Sequence, residues 1–420
     1  MINKKISNGL PEQVKYCVKC NISNQQPTST NEYRHDSETI QLTIDFNDDN
    51  ICAACKANDI KWDGTVNWED REKELVELCE KFKNIKQQYN CLVAGSGGKD
   101  SIFQSHILKY KYGMRPLTVT WAPHIYTDIG WINFNNWISK GGFDNFLFNP
   151  NGRLHRYLTR SAVKNILHPF QPFIIGQKNF PAKVAEMYNI PVIFYGEMPS
   201  DYGTKISNDK KFTNKLKDAH PGFSQDPLEG LEKEQIKLGG ETIESHISKT
   251  DYVMEDFECY FPLDKNKYLE KKIETHWLGY YLRWVPQENF YYSVENVDFQ
   301  INQERIEGTY QKYQSLDDKT DGFFYYTRYI KFGVGRAMMD SSMEIRNGHL
   351  TKDEGISLIK QFDGEFPKRY EKEFLEYISM TREEFDGICD KFRPNHIWKK
   401  NSNRWELKTP LENDQIKKSD

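Results

Sequence analysis

The most constraining feature of the chain is the run Ser96-Gly97-Gly98-Lys99-Asp100-Ser101, which follows the apolar stretch Cys91-Leu92-Val93-Ala94 and precedes the helical pattern that begins at Ile102-Phe103. A strand that ends in a glycine turn and opens a helix makes a phosphate cradle. The glycines let backbone approach the anion, and the first N–H groups of the helix point at it. The run is not a Walker A loop. That motif needs four residues between its first glycine and Gly-Lys-Ser/Thr, and here Asp100 stands where its final hydroxyl residue belongs. A glycine- and serine-rich turn is the plain alternative, and the flanking strand and helix favour the nucleotide reading.

The form SGGxDS resembles the PP-loop of ATP pyrophosphatases, which split ATP between its α and β phosphates. Around it, strand-like runs at 91–94, 117–121, 145–148 and 191–195 alternate with helical patterns at 101–112, 130–140, 154–167 and 179–189. This alternation predicts a parallel sheet covered on both faces, with ligands beyond the C-terminal strand ends. The fold class expected is α/β: a parallel-sheet PP-loop domain of adenine nucleotide alpha hydrolase type, an N-terminal zinc ribbon and a largely helical C-terminal region. The expected division is a ribbon at 14–60, the ATP-binding domain at 61–200, a polar insertion or lid at 201–250, a helical region at 251–400 that completes the active site, and a polar tail at 401–420.

Cys17-x-x-Cys20 and Cys52-x-x-Cys55 are two matched pairs separated by 31 residues. In a reducing compartment such pairs are metal ligands, and four thiolates fill a tetrahedral zinc site completely, so the zinc is structural. A redox dithiol or an iron–sulfur cluster is the competing reading. Between the pairs, Thr39 to Phe46 has strand-like alternation. Cys79, Cys91, Cys259 and Cys389 are isolated and read as small buried apolar residues.

The 420 residues carry a net charge of −4, which gives no overall footprint for nucleic acid, and no apolar run reaches the length of a membrane span. The start, Met1-Ile2-Asn3-Lys4-Lys5, is not followed by a signal-peptide core, so a cytoplasmic location is expected. Trp68 to Gln88 has the apolar stripe of an amphipathic helix. Ser315-Leu316-Asp317-Asp318-Lys319 joins two carboxylates and an ammonium, a pattern that suits magnesium or a helix N-cap. Lys331-Phe332-Gly333-Val334-Gly335-Arg336 sets cations beside glycines, which fits either a phosphate clamp or a solvated turn.

These motifs occur together with Val119 to His124, Pro169 to Gln177, Phe194 to Glu197, Trp284 to Glu288, Gly308-Thr309-Tyr310 and Ile330 to Ala337. In that order they resemble the bacterial N-acetyl sugar amidotransferases of acetamidino-sugar pathways, which serve O-antigens and flagellar nonulosonic acids. The resemblance runs from about Tyr16 to Pro367. It departs at Met198, where the family usually has Asn.

The resemblance implies conversion of an N-acetyl group into an acetamidino group through an O-adenylyl imidate, with ATP and Mg2+ bound together as the nucleotide complex and Zn2+ held structurally. The roles expected are these. Ser96, Gly97, Gly98, Lys99 and Ser101 hold phosphates, and Asp100 meets magnesium. Thr120 and Trp121 line the adenine pocket. Glu197 accepts a proton, and Lys331 and Arg336 stabilise charge on the α-phosphate. Gln177, Asp317, Asp318 and Lys319 are substrate or magnesium candidates. None of the cysteines lies in a glutaminase turn, so ammonia is expected from a separate glutaminase with a cyclase-like subunit, similar to those of imidazole glycerol phosphate synthase. A tRNA-thiolating PP-loop enzyme and a non-catalytic ATP-responsive scaffold are the rival readings.

Overall fold

Cys91–Ala94 (β1) carries no charged or amide side chain, and Cys91, Leu92 and Val93 are buried. A strand apolar on both faces belongs in the interior of a parallel sheet. In the computed structural model, which describes residues 9–28, 32–197, 199–203, 235–402 and 404–411, β1 is the middle strand of five. The others are β2 (Pro116–Trp121), β3 (Asp144–Phe148), β4 (Val192–Tyr195) and β5 (Glu274–Trp277), in the order β3-β2-β1-β4-β5. Every pairing is parallel: Leu92 lies opposite Leu117 and Ile193, Val119 opposite Phe146, and Phe194 opposite His276.

The two faces follow from side-chain alternation. Leu92 and Ile193 join Leu117, Val119 and Trp121 in one core, against helices Gly152–Ile166 (α3) and Gln171–Met187 (α4). Cys91, Val93, Val192 and Phe194 point the other way, to helices Trp68–Lys83 (α1) and Lys99–Tyr110 (α2). The expected strands at 91–94, 117–121, 145–148 and 191–195 are present within a residue at each end. α4 begins at Gln171, not 179, because Pro172 sits in its first turn, where a missing N–H costs nothing. β5 was not foreseen. Its sequence, Glu-Thr-His-Trp, has one buried residue, as an edge strand allows.

The cysteine-bearing segment differs from the expected ribbon. Thr39 to Phe46 makes only isolated bridges, Pro27 with Thr43 and Phe46 with Cys52. Its cysteines share one apolar cluster with Phe332, Val334, Met338, Ile397 and Trp398 from the C-terminal region. In the polar stretch 201–250, residues 204–234 lie outside the described residues. Ile236, Leu238 and Ile243 are fully buried and belong to the core against α3 and α4. Of the polar tail, 412–420 lie outside the described residues, and Arg404–Leu407 pairs with Trp398–Asn401. Among the described residues no helix is long and apolar enough to cross a membrane.

Candidate nucleotide-binding cleft

The loop after β1 has the backbone that an anion cradle needs. Gly97 has φ +85, and a Cβ there would lie 2.7 Å from Phe134 Cα, so no other residue fits. Gly98 is the N-cap of α2, and the N–H groups of the first helical turn have no intrahelical acceptor. The Ser101 hydroxyl ties the loop to itself: it donates to the Gly98 carbonyl at 2.8 Å and accepts from the Gly97 N–H at 3.2 Å. Lys99 is buried and its Nζ is bonded to the Asp100 carboxylate. Asn289 Nδ2, on helix Pro286–Val297, donates to the other Asp100 oxygen at 3.1 Å.

This loop forms one wall of a cleft of about 430 Å³. Gln177 and Lys178 of α4 form a second wall, and Tyr195, Gly196 and Glu197 at the end of β4 a third. The C-terminal region closes it with Gln314, Ser315, Asp317, Asp318, Asp321 and Tyr325. Of the residues singled out in the sequence, Ser96 to Ser101, Glu197, Gln177, Asp317 and Asp318 therefore meet at one site.

The site is rich in carboxylates held near one another. Burial pushes Glu197 up to about 7, with Asp100 adding to the shift. Burial also raises Asp317, whose carboxyl is hydrogen-bonded to Ser96. Asp321 is pushed well above the usual carboxylate range by burial and then by Asp317 and Asp318. Carboxylates crowded in this way repel one another when ionised, which is why burial and their neighbours raise them together. Asp318 has a different task. It accepts from His124 N–H at 2.6 Å and from Thr320 N–H at 2.9 Å, which fixes the loop that presents Asp317.

Five expected residues do not line the cleft. Trp121 is buried in the core beneath the sheet, packed on α4 where a Cβ at Gly176 would lie 2.3 Å from its ring. Thr120 is fully buried and bonded to Asn145 Nδ2 at 3.1 Å. Neither can form an adenine wall. Lys319 points to Glu373, at 3.3 Å. Arg336 lies behind the Tyr325 ring, 4.4 Å from its centroid, and donates to the Gln314 carbonyl at 2.8 Å. Its charge still reaches Asp321, where it opposes the effect of burial. Lys331 donates to the Ile166 carbonyl at 2.8 Å and lines a separate cavity. Met198 lies outside the described residues.

Lys178, Tyr202, Asp321 and Tyr325 line the cleft without having been singled out. Asp321 closes the polar run Asp317-Asp318-Lys319-Thr320-Asp321, and that run was the available signal. Tyr202 and Tyr325 stand in no motif that marks them.

The four cysteines converge as the pairs predict. Their sulfurs all lie within 4.8 Å of one another, with Cys17–Cys55 at 3.7 Å and Cys20–Cys52 at 3.6 Å. A zinc tetrahedron with Zn–S bonds of about 2.3 Å has edges of about 3.8 Å, so the cage fits that ion. Cys52 N–H and Arg346 Nη1 donate to these sulfurs, at 3.3 and 3.6 Å.

Residues 307–411 match the family model described as LPS biosynthesis protein WbpG-like, C-terminal domain. That segment supplies Gln314, Ser315, Asp317, Asp318, Asp321 and Tyr325 to the cleft. An uncharacterized protein of Methanocaldococcus jannaschii is 34% identical over 85 residues, which are 20% of this chain and 29% of that protein. The chain thus spans less than a third of the curated relative's length. Among solved structures, the NH3-dependent NAD synthetase from Campylobacter jejuni aligns with 31% of this chain and 56% of its own, at 13% identity and a TM-score of 0.25.

Proposed function

We propose that the chain is an ATP-dependent amidotransferase that converts an N-acetyl group of a sugar into an acetamidino group, in bacterial surface polysaccharide or flagellar glycan biosynthesis. The observation that carries this reading is that one cleft combines the Ser96–Ser101 phosphate cradle with the carboxylates of the WbpG-like segment. A nucleotide-activating loop and a segment similar to lipopolysaccharide-biosynthesis proteins meet around a single reacting volume.

The chemistry follows from the weakness of an amide as an electrophile. The acetamido oxygen attacks the α-phosphorus of ATP, and the bond to pyrophosphate breaks. The O-adenylyl imidate that results is attacked at carbon by ammonia, the C–O bond breaks and AMP leaves. One difficult substitution becomes two easier ones. Gly97, Gly98 and the first turn of α2 hold the β and γ phosphates, with Ser96 beside them. Asp100, Asp317 and Asp321 would hold Mg2+, which when bound neutralises charge on the departing pyrophosphate. Glu197, poised near 7, accepts the proton that the attacking ammonia loses. Ammonia comes from a separate glutaminase with a cyclase-like partner.

The thiolation alternative needs a reactive cysteine at the reacting volume. Cys259 and Cys389 lie in or against apolar clusters away from the cleft, and burial pushes the Cys259 thiol up to about 11. The test is incubation with ATP, Mg2+, ammonium and a panel of N-acetylated nucleotide sugars and nonulosonic acids, read by mass spectrometry. AMP together with a sugar lighter by about one mass unit is the expected result, since adenylation leaves AMP. AMP without a lighter sugar, or no AMP in the presence of the glutaminase, overturns it.

A further inference from the structure

Helix Arg336–Arg346 carries Met339, Met343 and Arg346 at i, i+4 and i+7, a spacing that sets all three on one face. That face does not close fully against the cysteine-bearing segment. Together with Ile22, Ile44 and Ala54 it lines a chamber of about 80 Å³.

Two further voids share the walls of this chamber. Tyr202, Gln314 and Tyr325 line both the chamber and the nucleotide-binding cleft. Arg346 lines both the chamber and an open groove of about 520 Å³, where Trp62 is exposed. The Arg346 guanidinium stands at that outer junction, donating to the Asp201 carbonyl at 3.1 Å and to Cys20 Sγ at 3.6 Å. Groove, chamber and cleft thus form a series, with one arginine at the outer junction and two tyrosines and Gln314 at the inner one.

The walls restrict what could use this series. The chamber is too small for a sugar or a nucleotide, whose pockets start at about 300 Å³. Its ionic groups are already matched. Asp201 meets Lys61 Nζ at 3.3 Å, and Asp340 accepts from Thr309 Oγ1 at 2.6 Å beside Arg336 Nε at 3.7 Å. Burial pushes both tyrosine hydroxyls above their usual range, so they stay neutral. An ion would shed its water here among groups that are already paired, whereas a small neutral molecule loses little. Tyr202 also stands close enough to Glu197 for that carboxylate to add to its shift. A molecule that arrives past Tyr202 therefore meets the group that takes a proton from the attacking nucleophile.

The adenylated intermediate gives such a series a use. Water that attacks the imidate carbon returns the N-acetyl sugar and AMP, so the cleft must stay closed to solvent until ammonia attacks. ATP and the sugar fill the cleft at that stage. A second entrance brings ammonia to the carbon without reopening the first.

We propose that ammonia enters from the groove past Arg346, crosses the Met339–Met343 chamber, and reaches the cleft between Tyr202 and Tyr325. There its nitrogen bonds to the imidate carbon, AMP leaves, and Glu197 takes the proton. The inference rests on the amidotransferase reading for the reaction in the cleft. It adds a second entrance, and it gives the cysteine-bearing segment a part in delivering the nucleophile.

The test uses the full-length, zinc-loaded protein with carbon-13 in its methionine methyl groups. Xenon dissolved under pressure is a neutral probe slightly larger than ammonia. It should shift the Met339 and Met343 methyl signals at least threefold more than that of Met187, which is exposed on α4. Turnover is then measured with ATP, Mg2+ and the acceptor found in the sugar panel. Met343→Trp, which fills the chamber, should lower kcat/KM for ammonia at least tenfold and leave KM for ATP and for the sugar within twofold. Met343→Ala, which widens it, should raise the use of methylamine relative to ammonia at least fivefold, so a poorly folding tryptophan variant does not decide the matter. Unshifted Met339 and Met343 signals, or ammonia and methylamine kinetics unchanged in both variants, overturn the route and leave the amidotransferase reading standing. Absence of AMP with every sugar overturns that reading, and the route falls with it.

Discussion

The Asp318 carboxylate accepts hydrogen bonds from two nitrogens of His124, the backbone N–H at 2.6 Å and ring Nδ1 at 2.8 Å, with both side chains almost wholly buried. Its second oxygen accepts from Thr320 N–H and Thr320 Oγ1, each at 2.9 Å. The pair staples the C-terminal region to the end of β2, and the next residue, Asp317, is thereby aimed at Ser96 of the phosphate loop. Adjacent carboxylates thus divide the work, one holding structure and one facing the cleft.

Asp318→Asn should lower stability by about 2 kcal/mol, because its amide nitrogen cannot accept the hydrogen bonds that one carboxylate oxygen takes from His124 or Thr320. Asp317→Asn should leave the unfolding midpoint nearly unchanged and raise the Mg2+ concentration needed for AMP formation at least tenfold. Urea unfolding and a Mg2+ titration of both variants check the division, and equal effects on both readouts would refute it.

The two loop glycines should fail in different ways. Gly97→Ala combines positive φ with a Cβ 2.7 Å from Phe134 Cα, so it should distort the loop and lower the melting temperature. At Gly98 a Cβ meets nothing nearer than Ser96 Oγ at 3.9 Å. Gly98→Val should therefore fold normally and push its methyls into the space of the phosphates. Pyrophosphate release at the wild-type rate by Gly98→Val would remove the loop from the mechanism.

Glu197 links activity and stability to pH with opposite signs. Its folded carboxyl stands near 7, against about 4.3 in an unfolded chain. A raised value means that stability from this group is fully present below about pH 4.3 and is lost as pH rises from there to about 7, by at most roughly 4 kcal/mol at about 1.4 kcal/mol per unit. The base is active only when ionised, so kcat/KM with ammonium held constant as free ammonia should fall about tenfold per unit below pH 7. Glu197→Gln should flatten the loss of ligand-free stability between about pH 4.5 and 7.5 and reduce turnover about a hundredfold or more. A turnover pH profile left intact by the substitution would assign the base elsewhere.

Zinc removal should reach the cleft. The cysteine cage shares its apolar cluster with Phe332, Val334 and Met338, which bracket the turn from helix Asp321–Phe332 to helix Arg336–Arg346. Asp321 and Tyr325 stand on the first of these helices. Metal analysis should find one zinc per chain. Cys20→Ser should lose it, with a lower melting temperature and weakened ATP binding. Retained ATP affinity in zinc-free, folded protein would uncouple the two.

Much of the cleft was legible because its signals are local. Ser96 to Ser101 carries its own turn geometry, strands β1, β2 and β4 announce themselves by the apolar content that a buried sheet requires, and the edge strand β3 by its run Phe146-Leu147-Phe148. The pairs Cys17/Cys20 and Cys52/Cys55 declare a metal cage by spacing alone. β5 stayed hidden because Glu274-Thr275-His276-Trp277 has neither an apolar run nor apolar alternation. The strand-like alternation of Thr39 to Phe46 misled because a segment tied to a metal cage and to neighbouring loops needs no ladder of its own.

Strand ends were readable in the sequence, and the faces their residues take were not. Thr120 and Trp121 do close β2, yet alternation sends Trp121 into the core under α4. Lys331 and Arg336 sit five residues apart in one motif, and the turn between their helices parts them, one to a second cavity and one behind Tyr325. The sequence by itself determined the phosphate loop, the central strands and the thiolate cage, because short-range backbone geometry and ligand spacing specify each. Only the tertiary structure decided that Asp317 and Asp321 meet Glu197 and Asp100 across one cleft, and that Arg328, Lys331 and Lys178 share another, because those meetings depend on how distant helices pack around the sheet.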